Sequence, residues 1–228
     1  MRCLDLFCGA GGAGMGYHQA GFEVVGWDIE HHTDYPFEHH VGDALEVLKD
    51  VDYVRSFDLV HASPPCQAYT NAAKIMRRSH PDLVGPVREH LIAAGVPYVI
   101  ENVPGAPLVN PVTLCGAMFP GLRTYRHRLF ESNMLITAPA HPHHTVPTTK
   151  MGRPPQEGEF MHVVGNFSGV NAAREAMGIP WMTRDDLREA IPPAYTAHLG
   201  RQVAEYLGPR PHGVLPHARR KHDRAVGL

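Results

Sequence analysis

Two residues that could carry nucleophilic and acid–base chemistry follow neighbouring strand-like segments. Cys66 comes directly after the apolar segment FDLVHAS and the pair Pro64 and Pro65, and Glu101 lies in a second apolar segment, PYVIENV. A thiolate is a nucleophile, and a buried carboxyl group can hold or deliver a proton. A single cysteine is usually a small core residue. Consecutive prolines stiffen the backbone before this one, and together with Glu101 they favour a chemical role.

A glycine-rich turn between two strand-like segments could hold a nucleotide-type ligand. Residues 9–14 satisfy the pattern G-x-G-x-x-G after the run RCLDLF, and Asp28 ends the next apolar segment, 19 residues after Gly9. Glycines let a ligand approach the backbone, and such an acid accepts hydrogen bonds from ribose hydroxyl groups. NAD and S-adenosylmethionine both carry an adenosine that fits. A further acid, Asp43, is either the N-cap of a helix or a contact to the adenine amino group.

Alternating strand and helix patterns must position these side chains. The segments expected to form buried strands are 2–7, 23–30, 57–63 and 97–103. Helices are expected between them, including one over 87–95 that is stopped by Gly95. This alternation predicts an α/β fold with a mostly parallel central sheet flanked by helices. Because the carboxyl ends of parallel strands meet at one edge, we expect the glycine turn, Cys66 and Glu101 to face one crevice.

Composition divides the chain into four expected parts. Residues 1–130 form a catalytic and cofactor-binding core, 131–171 an irregular insert rich in Pro, Gly, His and Thr, 172–208 helical segments that return to the core, and 209–228 a flexible basic tail. The net charge of −2 gives no indication of nucleic-acid binding. No apolar run is long enough to span a membrane, and no signal peptide is apparent. Four dispersed cysteines predict reduced thiols in a cytoplasm.

Clustered histidines in the insert raise the question of a zinc site. The four candidates are His141, His143, His144 and His162. No cysteine lies inside the insert and the spacing follows no metal-binding pattern. We therefore expect solvated or phosphate-contacting histidines and no metal site. His39 and His40 are expected on loops around the second strand, and Trp181 is expected to be a packing residue.

The motifs, taken in order along the chain, resemble those of the cytosine-C5 DNA methyltransferase family. The resemblance covers about residues 2–207. The stretches that carry it are DLFCGAGG (5–12), GWDIE (26–30), GDA (42–44), PPCQ (64–67), ENV (101–103), RHR (126–128), AREAMGIP (173–180) and EAIPPAYTAHLG (189–200). It implies a Rossmann-like class I S-adenosylmethionine-dependent methyltransferase fold.

The resemblance also implies residue roles. Catalytic roles fall on Cys66, Glu101, Arg126 and Arg128, and orienting or substrate-binding roles on Gln67 and Asn102. The residues whose positions imply contact with S-adenosylmethionine are Asp5, Phe7, Cys8, Gly9, Ala10, Gly11, Gly12, Asp28, Ile29, Asp43, Ala44, Ser63, Pro65, Glu189 and Ile191.

The implied reaction methylates C5 of cytosine in DNA. The base is flipped out of the duplex, the Cys66 thiolate adds to C6, and Glu101 stabilises or protonates N3. C5 then takes the methyl group from S-adenosylmethionine, which leaves as S-adenosylhomocysteine, and Cys66 is expelled after C5 loses its proton. The resemblance further implies duplex DNA as substrate, a monomer, a cognate restriction enzyme or accessory protein, and the cytoplasm of a bacterial or phage-infected cell.

The chain departs from the family pattern at three places. Thr124 stands where a Gln usually precedes the Arg-x-Arg motif, and Glu189 where an Asn commonly contacts the cofactor. Only residues 131–171 occupy the place of a sizeable target-recognition domain. Because sequence readout needs several side chains at base edges, we expect a short recognition site or relaxed specificity.

Other functions remain open at this point. The same chemistry could act on RNA or a free nucleotide, because the DNA-reading part is so small. A non-catalytic module that binds cofactor or DNA would be free to lose the nucleophile, yet Cys66, Glu101 and both arginines are retained. An NAD-dependent oxidoreductase would explain the glycine turn but neither PPCQ nor ENV.

Overall fold

The protein is described by a computed structural model that covers residues 1–65, 82–150 and 153–208. Cys66, Gln67 and the tail predicted at 209–228 lie outside the described residues. None of the helices within these ranges is long and apolar enough to cross a membrane.

Seven strands within the described residues form one sheet. They are β1 (Arg2–Leu6), β2 (Glu23–Asp28), β3 (Glu38–Val41), β4 (Leu59–Ala62), β5 (Tyr98–Asn102), β6 (Val112–Leu114) and β7 (Arg128–Ser132). Their spatial order is β3-β2-β1-β4-β5-β7-β6. The strands from β3 to β5 pair in parallel, whereas β7 runs antiparallel to both β5 and β6. The prediction of a mostly parallel α/β sheet is confirmed.

Seven α-helices and one 3-10 turn (Gly116–Met118) are found in the described parts of the chain. The helices are α1 (Gly12–Gln19), α2 (Ala44–Lys49), α3 (Val51–Arg55), α4 (Val84–Ala94), α5 (Val170–Met177), α6 (Arg184–Glu189) and α7 (Pro193–Leu207). Gly95 ends α4 in the left-handed conformation, as its position after the helical pattern predicts. The helix begins at Val84, three residues before the predicted start at 87.

Strand burial explains why the central strands were readable from the sequence. All four residues of β4 and all five of β5 are buried, so both strands appear as mainly apolar segments with few polar residues. β3 was not predicted, because its sequence EHHV is polar and lies at the edge of the sheet with its ends exposed. The expectation that His39 and His40 lie on loops is therefore wrong, since both belong to this edge strand.

Helix α7 packs closely against α1 and carries the late part of the chain back to its beginning. The Thr196 hydroxyl donates a hydrogen bond to the carbonyl of Ala13 at 2.7 Å. A Cβ atom on Gly16 would lie 2.1 Å from the Pro193 carbonyl oxygen, and one on Gly200 would lie 2.8 Å from Ala20 Cβ. The two helices therefore approach more closely than any larger residue at either position would allow. This contact brings the segment around residue 190 over the edge of the sheet.

Candidate active site

The glycine turn joins the carboxyl end of β1 to α1 and is held by the acid at the end of β2. The Gly9 amide donates to Asp28 Oδ2 at 2.9 Å. The backbone has positive φ at Phe7, Gly9 and Gly11, with values of 57°, 49° and 85°. Glycine adopts such φ values without steric cost, which explains the glycine at the last two positions. The predicted pairing of glycine turn and acid is therefore present.

Residues from the late part of the chain close the outer side of this turn. The Trp181 indole donates a hydrogen bond to the Ala10 carbonyl at 2.8 Å. A Cβ atom on Gly12 would lie 2.6 Å from the Ile191 carbonyl oxygen. Ile191 is buried, whereas Glu189 at the end of α6 is exposed. Trp181 was interpreted as a packing residue, because a lone tryptophan gives no signal that its indole supports a turn more than 150 residues away.

Two side chains beside the turn differ in what they offer a ligand. Ile29 follows Asp28 directly and has 71% of its surface exposed, so an apolar face is available next to the acid. Asp43 caps α2 by accepting a hydrogen bond from the Leu45 amide at 2.8 Å, and it is exposed. Asp43 is therefore the N-cap residue of α2, as one of its two interpretations proposed. A contact between Asp43 and adenine stays a prediction. Ala44 is buried in the first turn of the same helix.

Asp5 and Cys8 are buried, and their side chains do not reach the crevice. The Asp5 carboxyl accepts a hydrogen bond from the Tyr35 hydroxyl at 3.1 Å, and its Oδ1 has no partner among the described residues. Burial raises the pKa of Asp5 to about 8. Burial also raises the pKa of the Cys8 thiol. In this structure both residues shape the turn from beneath, and direct contact of either side chain with a cofactor stays a prediction.

Glu101 lies at the end of β5 in a buried polar cluster. Its carboxylate pairs with Arg128 at 3.0 Å between Oε1 and Nε, and both side chains are largely shielded from solvent. Burial raises the pKa of Glu101, while the Arg128 guanidinium and a hydrogen bond from Ser63 oppose that rise. Burial therefore favours the protonated carboxyl group, whereas Arg128 and Ser63 favour the carboxylate. The structure thus brings together two of the predicted catalytic residues.

A hydrogen-bonded chain leads from Ser63 into the core. His61 Nε2 lies 2.9 Å from the Ser63 hydroxyl, and His61 Nδ1 lies 3.0 Å from the hydroxyl of Tyr17. Burial lowers the pKa of His61 to about 3, so this imidazole is neutral at physiological pH. Sequence analysis did not single out His61. The alternation of polar residues in VHAS was the available signal, because a histidine inside an otherwise apolar buried strand requires a partner.

Asn102 anchors the proline segment that leads to the candidate nucleophile. Its side-chain amide donates to the Pro64 carbonyl at 2.9 Å, and its Oδ1 accepts from the Val103 amide at 2.9 Å. Pro64 is buried and Pro65 is exposed. The chain therefore reaches residue 65 at the carboxyl end of β4, directly beside the strand that carries Glu101. This agrees with the orienting role expected for Asn102.

Arg126 has a different environment from Arg128. Its guanidinium donates to the carbonyl oxygens of Val163, Arg188 and Ala190, each at 2.6 Å. Arg126 is buried and has a positive φ of 30°. These three bonds tie the RHR motif to the insert and to the segment that covers the glycine turn. In this structure Arg126 holds the architecture of the site, and its predicted contact with the base stays a prediction.

The structure also gathers four potential metal ligands that sequence analysis did not group. Cys115, His127, His141 and His144 bring one ligand atom each to within 4.8 Å of one another. His143 and His162 do not belong to this group. Cys115 and His127 precede the insert, so a search for spacing within the insert could not find them.

Comparison with known proteins shows which protein family the first part of the chain matches. Residues 1–105 match the family model for C-5 cytosine-specific DNA methylases. The match assigns residues 1–105 to the C5-methyltransferase family. Type II methyltransferase M.HgiGI of Herpetosiphon aurantiacus is 31% identical over 83 residues, which is 32% of this chain and 66% of that protein. M1.HphI of Haemophilus parahaemolyticus is 34% identical over 121 residues, which is 44% of this chain and 32% of that protein.

At the level of fold, solved structures extend the likeness to nearly the whole chain. A protein described as a DNA modification methyltransferase encoded within an E. coli prophage superposes with a TM-score of 0.65 at 13% identity and covers 91% of this chain and 99% of its own. Entamoeba histolytica methyltransferase EhMeth gives a TM-score of 0.58 at 13% identity, with 92% and 99% covered. The expected Rossmann-like class I methyltransferase fold is confirmed. The sequence alignments span less than two thirds of the curated relatives' length.

Proposed function

We propose that this protein transfers a methyl group from S-adenosylmethionine to C5 of a cytosine in DNA. The observation that supports it most directly is the buried Glu101–Arg128 pair beside the Asn102–Pro64 anchor. This arrangement places a proton-holding carboxyl group next to the strand end that leads into Cys66. An oxidoreductase would need neither feature. Family membership supports the same chemistry.

The crevice has the features that S-adenosylmethionine requires. Asp28 can accept ribose hydroxyl groups, and the exposed Ile29 offers an apolar face for adenine beside the glycine turn. When bound, S-adenosylmethionine supplies a methyl group attached to a positively charged sulfur. The late segment around Ile191 would cover the turn and exclude water from it. The residues predicted for the cofactor thus fit an adenosine-bearing sulfonium compound.

The remaining steps fall to the residues of the chain itself. In the proposed reaction the Cys66 thiolate forms a bond to C6 of a flipped cytosine, and the electron pair of the C5–C6 double bond shifts toward C5 and the ring. Glu101 stabilises this charge by placing its proton at N3, because burial favours its protonated form. Arg128 keeps the carboxyl group in place. Once C5 has formed a bond to the methyl group and the methyl–sulfur bond has broken, loss of the C5 proton restores the C5–C6 double bond and releases the thiolate.

Covalent trapping tests this proposal. A duplex in which the target cytosine is replaced by 5-fluorocytosine cannot lose a proton from C5, so with S-adenosylmethionine the protein should remain bonded to the DNA. Cys66→Ala should form no adduct, whereas Cys3→Ala, which changes another free thiol in the described part of the chain, should form it normally. An adduct with Cys66→Ala would overturn the nucleophile.

Substrate competition distinguishes the alternative substrates. The short insert leaves open whether RNA or a free nucleotide is the acceptor. Transfer of labelled methyl groups to duplex DNA, tRNA and dCMP should be compared under one condition. We expect transfer to duplex DNA to exceed transfer to the other two; transfer to tRNA or dCMP alone would contradict the DNA assignment while leaving the C5 chemistry intact.

A further inference from the structure

Four side chains from three separate segments converge at one point beside the RHR motif. Cys115 follows β6, His127 lies between Arg126 and Arg128, and His141 and His144 lie in the insert. Cys115 Sγ is 3.3 Å from His144 Nε2, and the Nε2 atoms of His127 and His141 are 3.1 Å apart. All four ligand atoms fall within 4.8 Å of one another.

We infer that Cys115, His127, His141 and His144 bind a zinc ion that fastens the insert to the edge of the sheet. Sulfur and imidazole nitrogen are the ligands that Zn²⁺ prefers, and four protein ligands complete its tetrahedral shell. A shell without an open position is typical of structural rather than catalytic zinc. The proposal does not depend on the methyl-transfer reaction.

The distances suit a tetrahedral ion. Zn–N bonds of about 2.0–2.1 Å and a Zn–S bond of about 2.3 Å place neighbouring ligand atoms roughly 3.3–3.7 Å apart. The two closest separations, 3.1 Å and 3.3 Å, are near that range, and the greatest is 4.8 Å or less. Small side-chain rotations would therefore bring all four atoms to bonding distance.

Hydrogen bonding and ring stacking alone explain this arrangement less well. His141 and His144 are exposed and could turn toward water, yet both direct a ring nitrogen inward to the same point. Three imidazoles with centroids 4.9–5.3 Å apart repel one another when protonated. A divalent cation removes that repulsion and gives each neutral nitrogen, and the thiolate, a partner.

The surroundings fix the ligands in place. The ring of Tyr125 stacks on His144 with centroids 3.6 Å apart. The Tyr125 hydroxyl donates to the Val146 carbonyl at 2.8 Å and accepts from the Val146 amide at 3.0 Å. Cys115 is fully buried. Outer contacts of this kind orient metal ligands and support their affinity.

The predicted consequence is a mechanical link between the insert and the candidate active site. His127 separates Arg126, which carries the bonds to Val163, Arg188 and Ala190, from Arg128, which pairs with Glu101. Binding a metal at His127 would immobilise the backbone between these two arginines. The same ion would hold residues 141–144, which otherwise have no regular secondary structure.

Metal analysis of the purified full chain tests the site. We expect one zinc per chain after exposure to Zn²⁺ and removal of excess metal, and a higher melting temperature with Zn²⁺ than after chelation. Replacing Zn²⁺ by Co²⁺ should give the visible absorption of tetrahedral cobalt with a thiolate band in the near ultraviolet. His141→Ala changes an exposed side chain and should weaken zinc affinity by about tenfold or more without unfolding the protein. Cys115→Ser should abolish the thiolate band.

His143→Ala is the matched control. His143 is an equally exposed histidine of the same insert and lies outside the group of four. It should retain one zinc per chain, the cobalt spectrum and the zinc-dependent rise in melting temperature. Substoichiometric zinc in the wild-type protein at saturating Zn²⁺ would overturn the proposal. Equal loss of zinc in His143→Ala and His141→Ala would also overturn it, because binding would then be nonspecific.

Discussion

Glu101 and Glu131 are both buried glutamates paired with arginine, but they serve different purposes. Glu101 accepts from Arg128 and Ser63 at the crevice. Glu131 accepts two bonds from Arg88 at 2.7 Å each and a third from the Val109 amide at 2.7 Å, which joins β7 to α4 and to the loop before β6. Both oxygens of Glu131 therefore accept hydrogen bonds that join elements of the fold. Of the two, Glu101 is the one for which we propose a contact with the substrate base.

Replacing each glutamate by glutamine should separate these purposes. Glu101→Gln removes the titratable proton but keeps the shape and one acceptor oxygen for Arg128, so we expect methyl transfer to fall by about 10²–10⁴-fold. Glu131→Gln replaces one acceptor oxygen by an NH₂ group that faces the N–H donors of Arg88 and Val109. It should lower the free energy of unfolding by roughly 1–3 kcal/mol. Initial rates and denaturant unfolding curves measure the two effects.

The contrast between the two variants is the check on this prediction. Glu131→Gln should keep most of its activity per folded molecule at a temperature where it stays folded. Glu101→Gln should keep its affinity for S-adenosylmethionine. A Glu101→Gln protein with normal rates would show that the carboxyl group has no part in catalysis.

At the scale of elements, the contact between α1 and α7 determines whether the glycine turn is covered by the segment around Ile191. Gly16 and Gly200 let the helices approach, and Thr196 bonds to the Ala13 carbonyl across the contact. Because Gly12 begins α1 and Ile191 precedes α7, the position of one helix sets the position of the cover over the other. A separation of these helices would open the glycine turn to water.

Alanine substitution tests this contact. A Cβ atom on Gly16 would lie 2.1 Å from both the Pro193 oxygen and Thr196 Oγ1, so Gly16→Ala should force the helices apart and lower the free energy of unfolding by about 1–3 kcal/mol or more. S-adenosylmethionine affinity should fall with it. Thermal unfolding and calorimetric titration measure both.

Gly85 provides a control of the same chemistry. It lies inside α4, and a Cβ atom there would meet nothing within 4 Å. Gly85→Ala should therefore be neutral or stabilise the protein by up to about 1 kcal/mol, because alanine loses less conformational entropy in a helix. If both alanine variants behaved alike, close packing of α1 against α7 would not be the cause.

At the scale of the whole molecule, the chain carries a complete methyltransferase-type sheet with a very small insert. The segment between β7 and α5 spans residues 133–169, and among its described residues the strand-like structure consists of a single bridge between Thr148 and Phe160. Arg126, the bond from Tyr125 to Val146 and the proposed metal tie that segment to the sheet. Few side chains are left to reach base edges in a groove.

This architecture predicts a short or relaxed target site. Bisulfite sequencing of plasmid DNA treated with the purified protein should show methylated cytosines that share at most a few neighbouring bases. Treatment with Cys66→Ala protein gives the background conversion. A long and strict consensus sequence would contradict the prediction and would require a reading surface in the part of the chain outside the described ranges.

Sequence analysis predicted what depends on local patterns. The strands β1, β2, β4 and β5 are mainly apolar segments, and the glycine turn with Asp28 follows a known spacing, so both could be predicted from the sequence. The metal-ligand group was not, because Cys115 and His144 meet only after β6 and β7 pair in antiparallel order. Arg126 illustrates the same limit: its motif suggested a base contact, whereas its three carbonyl partners come from distant segments.

The cover that Trp181 and Ile191 form over the glycine turn is completed only late in protein synthesis. The family match lies in residues 1–105, but Trp181 and Ile191, which touch the turn at Ala10 and Gly12, leave the ribosome much later. A nascent chain that already contains the turn and Asp28 does not yet contain the two residues that cover the turn. If the proposed function holds, we expect an unfinished polypeptide to show no methyl transfer until α7 has been released and has docked against α1.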